Sequence, residues 1–140
     1  MHILLAEDDP AVSIVTRMCL EKIGGHTVEL AADGAEAVDF ATRRSYDLII
    51  LDGMMPLKSG LQAAQEIRAA GIVTTPIIFL SAKIDDRDVA SFLSVGTGFI
   101  PKPFEPNEIC VRIDDIIANH SASESEVVGV DGAVGVGVVV

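Results

Sequence analysis

The chain has 140 residues, and its 21 acidic against 10 basic side chains give a formal charge of −11, so its field repels nucleic-acid phosphates and direct DNA or RNA binding is not expected. That length buries one sizeable core, and the opening "MHILLAEDD" lacks the basic region and apolar length of a signal peptide or membrane span, which makes the cytoplasm the expected compartment. Cys19 and Cys110 lie far apart without CxxC or Cys/His spacing, so they read as packing thiols in a reducing compartment, not as a disulfide framework or zinc site.

In chain order, the apolar run at 3–6 predicts a first strand ending in Glu7-Asp8. Asp9-Pro10 then supplies an N-cap and a proline at the first helical position. Val12, Val15, Cys19 and Ile23 recur at helical spacing and are expected to face the core, and Gly24-Gly25 stops the helix. A strand at 27–31 alternates through Val28-Glu29-Leu30, as an edge strand does, and a helix follows over 34–44. The third strand, 47–51, holds Leu48-Ile49-Ile50-Leu51 and stops on Asp52. A helix over 59–70 ends at Gly71. A fourth strand, 76–80, is again continuously apolar and is followed by Ser81, then by a helix over 85–95. The short run 98–100 leads into Pro101-Lys102-Pro103. The last helix begins near Pro106, sets Ile109, Ile113, Ile116 and Ile117 on one stripe with Glu108, Arg112 and Asp115 toward water, and is expected to fray near Asn119.

Five strands alternating with helices predict an α/β fold, a doubly wound five-stranded parallel sheet with helices on both faces. The first, third and fourth runs are apolar without interruption and belong at the centre; the second and fifth belong at the edges. Residues 1–120 are expected to form the domain. Residues 121–140 change to "SASESE" and then to a valine-glycine run, a low-complexity tail expected to be disordered or appended. It is too short for a DNA-binding or enzymatic module. No repeat at a fixed period is visible.

In an open parallel sheet, ligands bind beyond the carboxyl ends of the strands. Four of the five predicted strands deliver a polar residue to that rim: Glu7-Asp8, Asp52, Ser81 and Lys102. Singly, each has an ordinary explanation as a cap, a turn hydroxyl or a solvated loop charge. Together they do not, because three carboxylates on one rim repel one another unless cations sit among them. Lys102 is one such cation. A few hard oxygen ligands with open positions suit Mg2+ as a second. A carboxylate placed beside Mg2+, a hydroxyl and an ammonium is equipped to accept a phosphoryl group, which makes Asp52 the expected nucleophile.

From Met1 to about Asn119 the sequence resembles the receiver domains of two-component response regulators, through "ILLAEDDP", "DLIILDGMMPLKSG", "IIFLSA" and "GFIPKPFEPNEI", which fall in that family's order at nearly its spacing. The resemblance implies a flavodoxin-like sheet of order 2-1-3-4-5, as in the chemotaxis response regulator. It implies that Glu7, Asp8, Asp52 and the main-chain carbonyl of Met54 hold Mg2+, with Asp9 as the helix cap. Asp52 becomes the phosphoacceptor, Ser81 the switch hydroxyl, Lys102 the phosphoryl-pairing lysine and Phe99 the switch aromatic. Lys102-Pro103 matches the family's Lys-Pro, commonly a cis bond. Met54 and Lys83 stand where the family tunes the lifetime of the phosphoryl group. The implied partners are a sensor histidine kinase or phosphotransfer protein, and a downstream target or second copy binding the surface of the fourth helix, fifth strand and fifth helix. The implied role is that of a signalling switch and not of an enzyme.

Three departures accompany the match. "VGTGF" is one residue shorter than the family's usual run, the interval from Asp52 to Ser81 is slightly compressed, and position 99 is Phe where Tyr is common. Other classes fit less well. A phosphatase of the haloacid dehalogenase type expects a second Asp at the position of Met54, and a flavin carrier would find its phosphate repelled by Glu7-Asp8-Asp9. A phosphorylation-independent scaffold of the same fold is the remaining alternative.

Overall fold

The computed structural model describes residues 1–82 and 85–120. Strands β1 (His2–Ala6), β2 (Thr27–Ala31), β3 (Leu48–Asp52), β4 (Ile77–Ser81) and β5 (Gly98–Pro101) alternate with helices α1 (Pro10–Lys22), α2 (Gly34–Arg43), α3 (Gly60–Ala69) and α4 (Asp86–Val95). A 3-10 turn at Pro106–Glu108 leads into α5, helical over 109–120. All strand pairs are parallel, in the order β2-β1-β3-β4-β5. Parallel neighbours require a crossover at every connection, and the helices supply it.

The central strands explain the continuous apolar runs, since alternate side chains feed two separate cores. Leu4, Ile49, Leu51, Ile77 and Phe79 pack with Ala37 and Ala41 of α2, Ala63, Ala64 and Ile67 of α3, and Phe92 of α4. Ile3, Leu5, Leu48, Ile50, Ile78 and Leu80 point the other way, toward Leu20 of α1 and Ile109, Cys110 and Ile113 of α5. Burying each large aliphatic or aromatic side chain contributes about 1.5–3 kcal/mol, so these two layers hold the sheet between the helices. Asp9 caps α1 as the sequence leads one to expect, accepting from the main-chain N–H groups of Ala11 and Val12; the structure adds Asp33, Ser59 and Asp85, each of which accepts from the N–H three residues on.

Two expectations change. The ladder carries β3, β4 and β5 one residue beyond the apolar runs, to Asp52, Ser81 and Pro101, because the Gly53 N–H donates to Leu80 (2.8 Å) and the Lys102 N–H to Ser81 (2.9 Å). The site residues are therefore held by the sheet itself. Helix α1 is rolled relative to the expected stripe. Its buried residues are Ser13, Thr16 and Leu20, whereas Val12 and Cys19 are half-buried and Val15 and Ile23 are 44% and 59% exposed. The two small polar residues let α1 approach the sheet closely, and the Ser13 hydroxyl is satisfied by donating to the Pro10 carbonyl (3.0 Å). Both cysteines are free thiols. The expected tail at 121–140 and Lys83 lie outside the described residues.

Candidate functional site

At the carboxyl edge of the sheet, β1 releases the chain at Glu7, whose N–H still donates to Ala31, so the Glu7 side chain turns into the cleft and is buried while Asp8 stands exposed at its mouth. Asp52 ends β3, buried, one strand over. Carboxylate oxygens of Glu7, Asp8 and Asp52 lie within 4.8 Å of one another. The Lys102 ammonium enters from just beyond β5 and reaches both buried acids, 3.2 Å from Glu7 Oε1 and 3.1 Å from Asp52 Oδ1. Main-chain amides complete the ring: Asp8 N–H donates to Glu7 Oε2 (3.1 Å) and Met54 N–H to Asp52 Oδ1 (3.3 Å).

The electrostatics follow from three acids facing one cation. Burial, followed by the hydrogen bond and negative charge of Asp52, pushes the Glu7 carboxyl up to about 8, with Lys102 only partly opposing the rise. Burial would lower Lys102, but the hydrogen bond and charge of Asp52 and then those of Glu7 outweigh it and raise the ammonium above its ordinary value. With no further cation, a proton on Glu7 relieves the cluster at neutral pH. A divalent ion can take that proton's place, and a compact set of hard oxygens with one face open to solvent through Asp8 fits Mg2+.

The remaining expected residues are placed as follows. Ser81 is buried at the end of β4, and a side chain at position 53 would come within 3.1 Å of its hydroxyl, which accounts for Gly53. Phe99 is half-buried against the core that holds Phe79 and Phe92, which stack with ring centroids 4.6 Å apart. Lys102-Pro103 is a cis peptide. The Met54 side chain points outward, 60% exposed.

Three features escaped sequence reasoning. Gly60 opens α3 against the main chain of Asp52, and a Cβ there would fall 2.3 Å from the Asp52 carbonyl oxygen. Arg68, which the sequence reading does not single out, donates to the carbonyls of Val95 (2.8 Å), Ile72 (3.1 Å) and Thr75 (2.7 Å), so it ties α3 to the end of α4. Beside the acids lies an apolar hollow of about 630 Å3 lined by Ala11, Val12, Val15, Phe104 and the Lys102-Pro103 segment. The exposed Ile14 and Met18 continue it along α1. The repeated β-branched and thioether residues of α1 were the available signal, and they read equally well as core.

A doubly wound parallel sheet with an acid-lysine cleft at the carboxyl ends of β1, β3 and β5 defines a class of flavodoxin-like α/β domains that carry their site at that rim. The family model described as "Response regulator receiver domain" matches residues 3–114, and the chain belongs to that family: it is the receiver domain of a two-component response regulator. The chain is 38% identical over 114 residues to the transcriptional regulatory protein DltR of Streptococcus agalactiae, an alignment that covers 81% of this chain and 50% of DltR. Thus the chain spans about half the length of the curated relatives it matches. Among solved structures, the receiver domain of sensor histidine kinase PA1611 from Pseudomonas aeruginosa is 36% identical with a TM-score of 0.72, covers 84% of this chain and 97% of that one, and is described with a magnesium ion coordinated in its active-site cleft. The chemotaxis response regulator CheY4 of Vibrio cholerae is 27% identical with a TM-score of 0.76, covering 82% of this chain and 97% of that one. Among the described residues, no helix is long and apolar enough to cross a membrane.

Proposed function

We propose that this receiver is a phosphorylation-controlled switch in which Asp52 accepts a phosphoryl group from the histidine of a sensor kinase or phosphotransfer protein. The observation that carries the reading is the approach of one ammonium, Lys102, to within 3.2 Å of two buried carboxylates, with a third carboxylate at the mouth of the same cleft. Glu7, Asp8 and Asp52, with the main-chain carbonyl of Met54, would hold Mg2+, which when bound neutralises charge on the phosphoryl oxygens.

Phosphoryl transfer needs little covalent chemistry from a protein beyond a positioned nucleophile and neutralised equatorial oxygens. Asp52 supplies an oxygen that the sheet fixes at the end of β3. It forms the new P–O bond as the bond to the donor's histidine nitrogen breaks. Lys102 then exchanges part of its contact with Asp52 for a phosphoryl oxygen, and the Ser81 hydroxyl donates to another. Because Phe79 registers with Phe99 across β4 and β5 and stacks on Phe92 of α4, a shift of Ser81 and Phe99 is felt directly by α4. The α4-β5-α5 surface would then favour a downstream protein or a second copy in the phosphorylated state. The apolar hollow and the exposed face of α1 give the donor protein a surface beside the acids, and no direct nucleic-acid contact by this domain is required.

Intact mass after incubation with a small phosphodonor and Mg2+ tests the reading, run beside Asp52→Asn and a chelator control. One acid-labile phosphoryl group that needs both Mg2+ and Asp52 is the expected result. No adduct, under conditions that label another receiver, would refute the phosphoacceptor and leave a scaffold that works without phosphorylation.

A further inference from the structure

The switch chemistry uses neither cysteine, yet the only two in the chain meet across the interface between α1 and α5. The Cys110 thiol, in the first turn of α5, donates to the main-chain carbonyl of Cys19 in α1 at 3.6 Å, although 91 positions separate them. Bond lengths from those two atoms back to the α-carbons keep the Cα atoms within about 9 Å of each other. A disulfide needs roughly 4.4–6.8 Å, a shortfall of about 2 Å at most. The segment that must supply it is the beginning of α5, which follows a 3-10 turn and the connection from β5. We propose that Cys19 and Cys110 form a peroxide-responsive thiol pair that closes to a disulfide joining α1 to α5.

Exposure gives the two sulfurs different parts. Cys19 is half-buried and open to a small oxidant, whereas Cys110 is buried. Burial, with the charges of Asp114 and Cys19 adding to it, pushes the Cys110 thiol up, so Cys19 is the thiol that reacts first. Its thiolate attacks one oxygen of a hydroperoxide; the O–O bond breaks, a sulfenic acid forms and water (or the alcohol) leaves with a proton. Cys110 then loses its proton and attacks that sulfur. The S–S bond forms as the S–O bond breaks, and the hydroxide leaves as a second water. Two thiols are oxidised and one peroxide is reduced. The product staples α5, whose first turn lies eight residues after Lys102, to a helix on the same face of the sheet.

The full chain, treated with graded hydrogen peroxide and then with a thiol reductant, tests the pair by intact mass and by peptide mapping. The expected product is a monomer two hydrogens lighter, with one peptide linked through Cys19 and Cys110, restored by reductant. It should melt at least about 5 °C higher than the reduced protein, since the cross-link restricts a long loop of the unfolded chain. Cys110→Ser should leave a sulfenic acid on Cys19 that a dimedone probe captures, and Cys19→Ala should give neither product. Circular dichroism checks that both variants are folded. Independent addition of oxygen to each sulfur, with no loss of two hydrogens, would overturn the proposal, as would disulfides that form only between copies.

Discussion

The raised Glu7 carboxyl makes this domain's stability depend on pH in a direction opposite to that of most acidic side chains. Its native value of about 8 exceeds the ordinary 4.5, so between those limits the folded state holds a proton that the unfolded state has lost. Stability from this group is complete below pH 4.5 and disappears as pH rises through about 8. Each pH unit in the upper window is worth about 1.4 kcal/mol, so stability without divalent cations should fall by about 2 kcal/mol from pH 6 to pH 8. Burial lowers His26 from its ordinary 6.5, which gives it the opposite sign, adding stability as pH rises toward that value. Glu7→Gln removes only the first contribution, because an amide imitates the protonated acid at every pH. Urea unfolding at pH 6, 7 and 8 with a chelator should therefore give a falling midpoint for the wild type and a flat or rising one for Glu7→Gln, which becomes the more stable protein at pH 8. With Mg2+ near a hundred times its dissociation constant, the wild type should recover about 2.7 kcal/mol, most fully at pH 8 where the ion does not compete with a proton. A wild-type midpoint that is constant over pH 6–8, or one that falls equally in Glu7→Gln, would refute the assignment of that proton to Glu7.

Other substitutions separate the parts of the fold and site. Gly60→Ala would drive a Cβ into the Asp52 carbonyl, 2.3 Å away in main chain that cannot yield cheaply, and should cost at least about 2 kcal/mol in urea unfolding; an unchanged midpoint would show that α3 is free to shift. Lys102→Met removes the cation that contacts both buried acids, and labelling by a small phosphodonor should slow by about 100-fold at saturating Mg2+, as measured by mass against time. Arg68→Ala leaves three carbonyls without their shared donor and should cost about 2–3 kcal/mol. Arg68→Lys should recover less than half of that, since one ammonium cannot reproduce the fork, and full recovery would contradict a geometric role.

The sheet and the acids were legible in the sequence for one physical reason. Strands buried on both faces must be continuously apolar, so Leu48-Ile49-Ile50-Leu51 and Ile77-Ile78-Phe79-Leu80 stand out, and so does any charge that ends them, such as Asp52. Strand order and the roles of Ser81 and Phe99 came from the family resemblance, because spacing alone does not say which rim residues meet. Helix α1 was misread since it carries apolar residues around most of its circumference and buries Ser13 and Thr16, and a periodicity argument assigns the larger side chains to the core. Arg68 was illegible for a different reason: a single arginine in a last helical turn is ordinary, and only the tertiary fold brings the Val95 and Thr75 carbonyls within its reach.

The ion pair between Lys102 and Glu7 also bears on how the protein is made. It joins positions 95 apart in the chain, and β5 is the last strand of the sheet to be synthesised. While ribosomal synthesis has delivered β1 to β4 but not residue 102, the growing polypeptide already carries Glu7, Asp8 and Asp52 without the ammonium that steadies them. The cleft thus becomes complete only when the final strand docks, at the close of folding of the whole domain.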